Sequence, residues 1–286
     1  MIYRTRDGRE LSGNDGQDRF LERLYGCRVG RLLVACMIRP WVSKAGGAFL
    51  SSPLSKGMIR PFIRKNRINM SRYEDRRFRS YDDFFTRKLK TPAFDAKAGH
   101  LISPCDSKLT ALPIGDDSVF SIKHSRYTTA SLLRNAELAA RFRGGWALIF
   151  RLTVDDYHRY CYIDGGRKGE NVRIPGVLHT VNPAAYSWAD VYKENAREYS
   201  LLESEHFGTV LMMEVGALMV GKIVNHHGAA DVQRGQEKGY FRFGGSTVIL
   251  LLEPGRVSMD EDILKNSADG VETVVKCGER IGCAIE

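Results

Sequence analysis

Ser246 stands where its hydroxyl could attack its own chain. It follows Gly244-Gly245 and leads into Thr247 and the apolar run Val248-Ile249-Leu250-Leu251-Leu252. Two glycines leave the peptide bond ahead of Ser246 sterically open and free to take unusual φ/ψ values. A β-branched, apolar strand after it would anchor the turn in a core. The arrangement suits attack of Ser246 Oγ on the Gly245 carbonyl, although the same residues also describe a glycine turn opening a buried strand. Asp106 closes Ser103-Pro104-Cys105-Asp106, where an aspartate commonly caps a turn. His158 lies within Asp155-Asp156-Tyr157-His158-Arg159-Tyr160-Cys161, as well suited to a polar contact as to a base. Glu214-Val215-Gly216-Ala217 with Val220-Gly221 offers small residues that let backbones approach closely, which is a packing role. Serine, histidine and aspartate together satisfy the logic of an activated nucleophile: a base takes the hydroxyl proton and a carboxylate orients the base. A hydrolase elbow is excluded, because Val248 stands where G-x-S-x-G needs its second glycine.

These residues need elements to hold them. From about Asp18 to Ile38 apolar residues recur at helical spacing with Arg23, Arg28 and Arg31 between them, and Pro40 ends the pattern. A glycine- and serine-containing break, Lys44 to Lys56, precedes a second basic amphipathic stretch from Met58 to Ile68. Ser80-Tyr81-Asp82-Asp83 reads as a capping box opening a short helix through Phe84, Phe85 and Leu89. Thr128 or Thr129 caps a further helix through Phe142, closed by Gly144-Gly145. Strand signals then dominate: Trp146 to Val154, Tyr160 to Ile163, Val172 to Val181, Gly208 to Val215, Gly221 to Asn225, Tyr240 to Phe243 and Thr247 to Leu252. Residues 1 to 13 read as an irregular or short β lead-in. The expected fold is α+β: a β-rich, sandwich- or barrel-like domain over residues 80–286 behind a basic helical region, 1–79.

Charge is concentrated in that first region. Between Arg28 and Arg79 thirteen Lys or Arg face only two acids, Glu74 and Asp75. Such a block favours an anionic partner. Basic amphipathic helices with Trp41, Phe49 and Phe62 nearby suit a membrane interface; the alternative is that their apolar faces pack on the protein's own core. Nucleic acid is not expected, since no recognised reading motif accompanies the charge. The longest apolar runs fall far short of the ~20 residues that cross a bilayer, and Met1 to Asp7 carries no secretory signal. Six cysteines without C-x-x-C spacing point to free thiols in a reduced compartment. Seven histidines show no ligand spacing, so no metal is expected.

The order of the segments resembles the phosphatidylserine decarboxylase family. The matching text is Tyr81-Asp82-Asp83-Phe84-Phe85-Thr86-Arg87, then SPCDSKL (103–109), DYHRY (156–160), FGTVLMMEVGALMVGKI (207–223) and KGYFRFGGSTVILLLE (238–253). The similarity runs from about residue 20 to Gly282.

The resemblance implies a proenzyme that cuts itself between Gly245 and Ser246, leaving a β chain (1–245) and an α chain (246–286) that stay associated. Ser246 would become a covalent pyruvoyl group, an electron sink that forms a Schiff base with the serine amine of phosphatidylserine and yields phosphatidylethanolamine and CO2. It also implies Asp106 as orienter and His158 as general base. Family members commonly carry H-x-x-H here, and Cys161 occupies the second position, where a thiol is a poor base unless ionised. The division of labour between His158 and Cys161 is open. The implied setting is a peripheral protein on the cytoplasmic face of the cell membrane, acting on phosphatidylserine in an anionic membrane, with a homodimer by family analogy. Two alternatives stand beside this reading: an uncleaved lipid-binding homologue, and a pyruvoyl decarboxylase for another serine lipid or amino acid.

Overall fold

The computed structural model describes residues 2–12, 23–37, 40–115, 117, 119–122, 125–182, 190–217, 222–242 and 246–285. The run Ser246–Leu252 becomes a fully buried strand near the middle of an eleven-stranded sheet. From one edge to the other the strands are Ala230–Val232, Gly166–Lys168, Arg197–Ser204, Gly208–Val215, Ser246–Leu252, Trp146–Leu152, Ser107–Pro113, Glu272–Val275, Ile2–Thr5 and Glu10–Ser12. Val172–Ile174 pairs additionally with Arg197–Ser204. All neighbours are antiparallel except Ile2–Thr5 with Glu272–Val275. The expected β-rich α+β fold is present as an open sheet rather than a closed barrel, and the β lead-in forms two strands at its edge.

Both faces of this sheet are covered, which explains why the central strand is apolar without alternation. Val248, Leu250 and Leu252 point into one core, which also holds Tyr160, Cys161, Phe241, Leu101 and Ile281 from two small three-stranded sheets. Those sheets are Ile223–Asn225, Glu237–Phe241, Arg159–Cys161, and Val257–Met259, Arg280–Ala284, His100–Ile102. Ile249 and Leu251 point the other way, into a core closed by Leu132, Leu133, Ala139 and Tyr192 of short helices. The Thr128 cap is as expected, its Oγ1 accepting from Ser131 N at 3.0 Å. The helix after it breaks at Arg134 (φ 52°), and Asn135 caps a second piece, Ala136–Ala140.

In the basic region helices span Arg28–Met37, Pro40–Ser51 and Ile59–Asn66. Pro40 opens a helix rather than only ending one, since a first-turn proline loses no intrahelical donor. The expected break from Lys44 is therefore helical as far as Ser51. Asp18 to Glu22 and the side chain of Trp41 lie outside the described residues. Ile59, Phe62 and Ile63 pack against Tyr81, Phe84 and Phe85 of the Tyr81–Phe85 helix, with Phe62 edge-on to Tyr81 at 5.4 Å. That amphipathic face is thus used by the protein itself. Val29, Leu32, Phe49, Leu54 and Met58 remain exposed. Among the described residues no helix is long and apolar enough to cross a membrane.

Candidate active site

Ser246 opens the central strand opposite Leu152. Side chains alternate along a strand, so Ser246 shares a face with Val248 and looks toward the core beneath Tyr160, Cys161 and Phe241. It is fully buried, and its Oγ has no hydrogen-bond partner among the described residues. Phe243, Gly244 and Gly245 lie outside the described residues.

His158 lies in the turn segment between the strands Trp146–Leu152 and Arg159–Cys161. Thr153 N and Oγ1 donate to the Asp156 carboxylate at 2.7 and 2.9 Å, and Lys108 Nζ donates to the same oxygen at 2.6 Å. Burial alone would raise Asp156, but Lys108 beside it carries its carboxyl below the usual range. His158 Nδ1 lies 2.9 Å from the Asp156 carbonyl oxygen. A carbonyl only accepts, so Nδ1 carries the proton and Nε2 presents a lone pair. Nε2 is buried and has no partner among the described residues. Complete burial pushes the imidazole down to about 3, which keeps it neutral at physiological pH.

The Tyr81–Arg87 segment packs against His158. Ser80 Oγ accepts from Asp83 N at 3.2 Å and starts the helix, as the capping pattern predicts. Phe85 then lies against the His158 ring, centroids 4.0 Å apart. The buried Arg87 donates to the carbonyls of Asp155 and Asp156 at 3.1 and 3.3 Å while its guanidinium rests over Tyr73 and Phe84. Arg159 donates to Thr86 O at 2.7 Å. His158 is therefore fixed through backbone carbonyls and an aromatic wall.

Asp106 sits in a different set of contacts. Its Oδ1 accepts from Cys277 N at 2.9 Å and its Oδ2 from Lys276 Nζ at 3.2 Å, with Arg72 Nη1 at 3.9 Å. Cys161 Sγ lies 3.8 Å from Cys277 Sγ. That sulfur contact, then burial, pushes the Cys277 thiol well up. The structure thus joins Asp106 to Cys161 through Cys277, and no hydrogen bond links Asp106 to His158 among the described residues. Sequence reasoning assigned no part to Asp156, Lys108, Phe85, Arg87, Lys276 or Cys277. The one available signal was an acid two residues before His158. Elsewhere, the carboxylates of Asp164 and Glu205 approach His206, but Asp164 already accepts from Ser204 Oγ and His206 N.

Chemically, the head of the central strand offers a buried hydroxyl, and the turn after Leu152 offers a neutral imidazole with an unprotonated nitrogen. Neither the hydroxyl oxygen nor that nitrogen has a hydrogen-bond partner among the described residues.

Comparison with known proteins agrees with that reading of the motifs. Residues 81–283 match the family model described as phosphatidylserine decarboxylase. Phosphatidylserine decarboxylase proenzyme 2 of Clostridium acetobutylicum is 47% identical over 276 residues, covering 96% of this chain and 94% of that protein. The proenzyme of Ruminiclostridium cellulolyticum is 37% identical over 276 residues, 94% of this chain and 92% of that protein. That of Clostridium tetani is 39% identical over 272 residues, 93% and 92% respectively. With its motifs in order and relatives matched along almost their whole length, the chain belongs to the phosphatidylserine decarboxylase family of carboxy-lyases.

Proposed function

We propose that this chain decarboxylates phosphatidylserine to phosphatidylethanolamine after cutting itself between Gly245 and Ser246. The observation that carries the reading is the buried Ser246 Oγ at the head of the central strand, without a hydrogen-bond partner among the described residues. In the cut, His158 Nε2 takes the Oγ proton and Oγ bonds to the Gly245 carbonyl carbon. The C–N bond breaks as the proton passes to the Ser246 nitrogen, leaving an ester. Loss of the Ser246 Cα proton and cleavage of its Cβ–O bond release the upstream chain as a carboxylate. The dehydroalanine left behind becomes an imine, and water replaces its nitrogen, which departs as ammonia.

The position suits a pyruvoyl group made there. The reacting residue is buried, its oxygen has no hydrogen-bond partner among the described residues, and two glycines precede it. Such a group supplies an electron sink for the pair released when CO2 leaves. The chain's own residues exclude water, hold His158 through Phe85 and the Asp156 carbonyl, and keep its Nε2 able to accept or return a proton. The two chains remain together, because Ser246–Leu252 is paired along its length with Gly208–Val215 on one side and Trp146–Leu152 on the other.

The lipid substrate is met at a membrane surface. Exposed Val29, Leu32, Phe49, Leu54 and Met58 beside the cations Lys56, Arg60, Arg64 and Lys65 support peripheral binding to an anionic bilayer, on its cytoplasmic side. The test is CO2 release from phosphatidylserine vesicles and from free serine, with the intact mass of the denatured protein. Two chains, the smaller carrying a ketone, and release from vesicles alone are expected. An unbroken chain would favour the lipid-binding alternative, and release from free serine would replace the substrate.

A further inference from the structure

We propose that the cavity beside Gly216 is the subsite for the phosphodiester of the lipid headgroup, held there by Arg173 and Lys222. The inference rests on the decarboxylase reading above and adds to it residues that select the substrate. The motif around Gly216 reads from the sequence as close packing, but the structure opens a cavity of about 280 Å³ against it. Arg173, Leu178, Glu198, Lys222 and Ile223 line its walls. That volume is close to the lower end of the range for small-molecule sites, ~300 Å³.

The sheet ties this cavity to Ser246. Val215 pairs with Thr247, so the register carried one step further sets Gly216 beside Ser246. Residues directly opposed on neighbouring strands share a face. Glu214 is opposite Val248, Glu198 is opposite Glu214, and Arg173 is opposite Glu198. Val248 shares the face of Ser246, and so, along this row, do Glu198 and Arg173. Lys222 immediately precedes the strand Ile223–Asn225, and its carbonyl accepts from Arg242 N at 3.1 Å.

Charge decides what the cavity can take. Asn225 Nδ2 donates to Glu198 at 2.6 Å and to Glu214 at 3.1 Å, and Lys238 Nζ donates to the two Glu214 oxygens at 2.7 and 2.8 Å. Glu198 is thus drawn to Asn225 rather than to Arg173. Arg173 and Lys222 are exposed and have no ion pair among the described residues. A guanidinium and an ammonium on one cavity suit a phosphate oxygen pair. Phosphatidylserine carries two anions, a carboxylate and a phosphodiester. A cation on the carboxylate would stabilise the ground state that loss of CO2 must leave, so the phosphodiester is the group these two hold. Only three atoms separate its phosphorus from the serine nitrogen, a reach of about one strand spacing, ~4.8 Å. Gly216 stands one strand from Ser246.

The test uses the processed enzyme and a short-chain phosphatidylserine dissolved as monomers, so that the charge of a bilayer surface plays no part. Arg173→Gln and Lys222→Gln are compared with wild type and with Lys265→Gln, an exposed cation of the Glu261–Ala268 helix. The subsite predicts KM raised about 10- to 100-fold in the two cavity variants, with kcat changed far less and splitting by intact mass as in wild type. Arg173→Lys recovers part of the loss, and Lys265→Gln matches wild type. Glycerophosphoserine competes in wild type and loses that power in both cavity variants. Inorganic phosphate competing equally well would mean a free-anion site and overturn the assignment to the lipid. If Arg173→Gln fails to split, Lys222→Gln carries the same comparison. Split variants with the KM of wild type would overturn the subsite and leave the decarboxylase reading intact. A wild type that never splits, or that releases no CO2 from the lipid, would overturn that reading, and the subsite with it.

Discussion

Two neighbouring regions of this molecule treat polar atoms in opposite ways. The Asp106 carboxylate is satisfied: it takes a backbone N–H and an ammonium, and the two thiols beside it touch each other. At His158 and Ser246 two polar atoms are buried without a hydrogen-bond partner among the described residues. An unsatisfied buried polar group costs ~1–3 kcal/mol, so the protein tolerates at two reactive atoms what it avoids at the carboxylate. Arg87 Nε, Ser107 Oγ and Thr247 Oγ1, on residues flanking the same sites, are also unpartnered. The contrast teaches that the carboxylate cluster is built to hold shape, while Ser246 Oγ and His158 Nε2 are candidates for chemistry because their types, and not their open valences alone, suit proton transfer.

Removing the nucleophile should break the comparison most completely. Ser246→Ala is expected to give one unbroken chain with no decarboxylase activity, read by intact mass and CO2 release, while the fold survives. Next in size is the buried pair that shapes the His158 turn. Lys108→Met leaves the Asp156 carboxylate uncompensated, a situation that costs ~3–5 kcal/mol. The unfolding midpoint should drop accordingly, and processing should fail through misplacement of His158. A midpoint equal to wild type would show that the pair does not hold the turn.

The pH dependence sharpens the account further. His158 titrates at about 3 in the folded protein and near 6.5 when unfolded. As pH falls below 6.5 the unfolded chain gains a proton that the folded chain refuses, so stability is lost between 6.5 and about 3. The slope for this one group approaches ~1.4 kcal/mol per pH unit. Denaturant melts of uncut Ser246→Ala across this window should show the slope, and adding His158→Gln should remove its share. The smallest effect belongs to the satisfied side. Cys277→Ala should change the splitting rate less than about tenfold, because a thiol held protonated offers no base.

Much of this was legible in the chain. Five apolar residues in a row, preceded by a glycine-serine turn, read as a buried strand, and the Ser80 and Thr128 caps read as helix starts. The Arg197–Ser204 strand was not legible. Its polar sequence has little strand propensity, and it is held by pairing along its whole length with Gly208–Val215 and by a buried Arg197 donating to the Leu132 carbonyl. At the site, residue types pointed to Ser246 and His158 as candidates, but not to the group that holds the imidazole. That group is a backbone carbonyl, which leaves no trace in the amino-acid sequence. Arg87 was likewise visible only as part of a motif, since its work on the Asp155 and Asp156 carbonyls depends on long-range packing.

The central claim is that the empty imidazole, rather than the thiol standing at the second family histidine position, serves Ser246. The most direct test is the intact mass of His158→Gln and Cys161→Ala after equal times of synthesis, beside wild type. The account predicts an unsplit His158→Gln chain, slowed by ~10²–10⁴-fold as for loss of a general base, and a Cys161→Ala chain cut between Gly245 and Ser246. A split His158→Gln together with an unsplit, folded Cys161→Ala would contradict it and move the base to the Asp106 side.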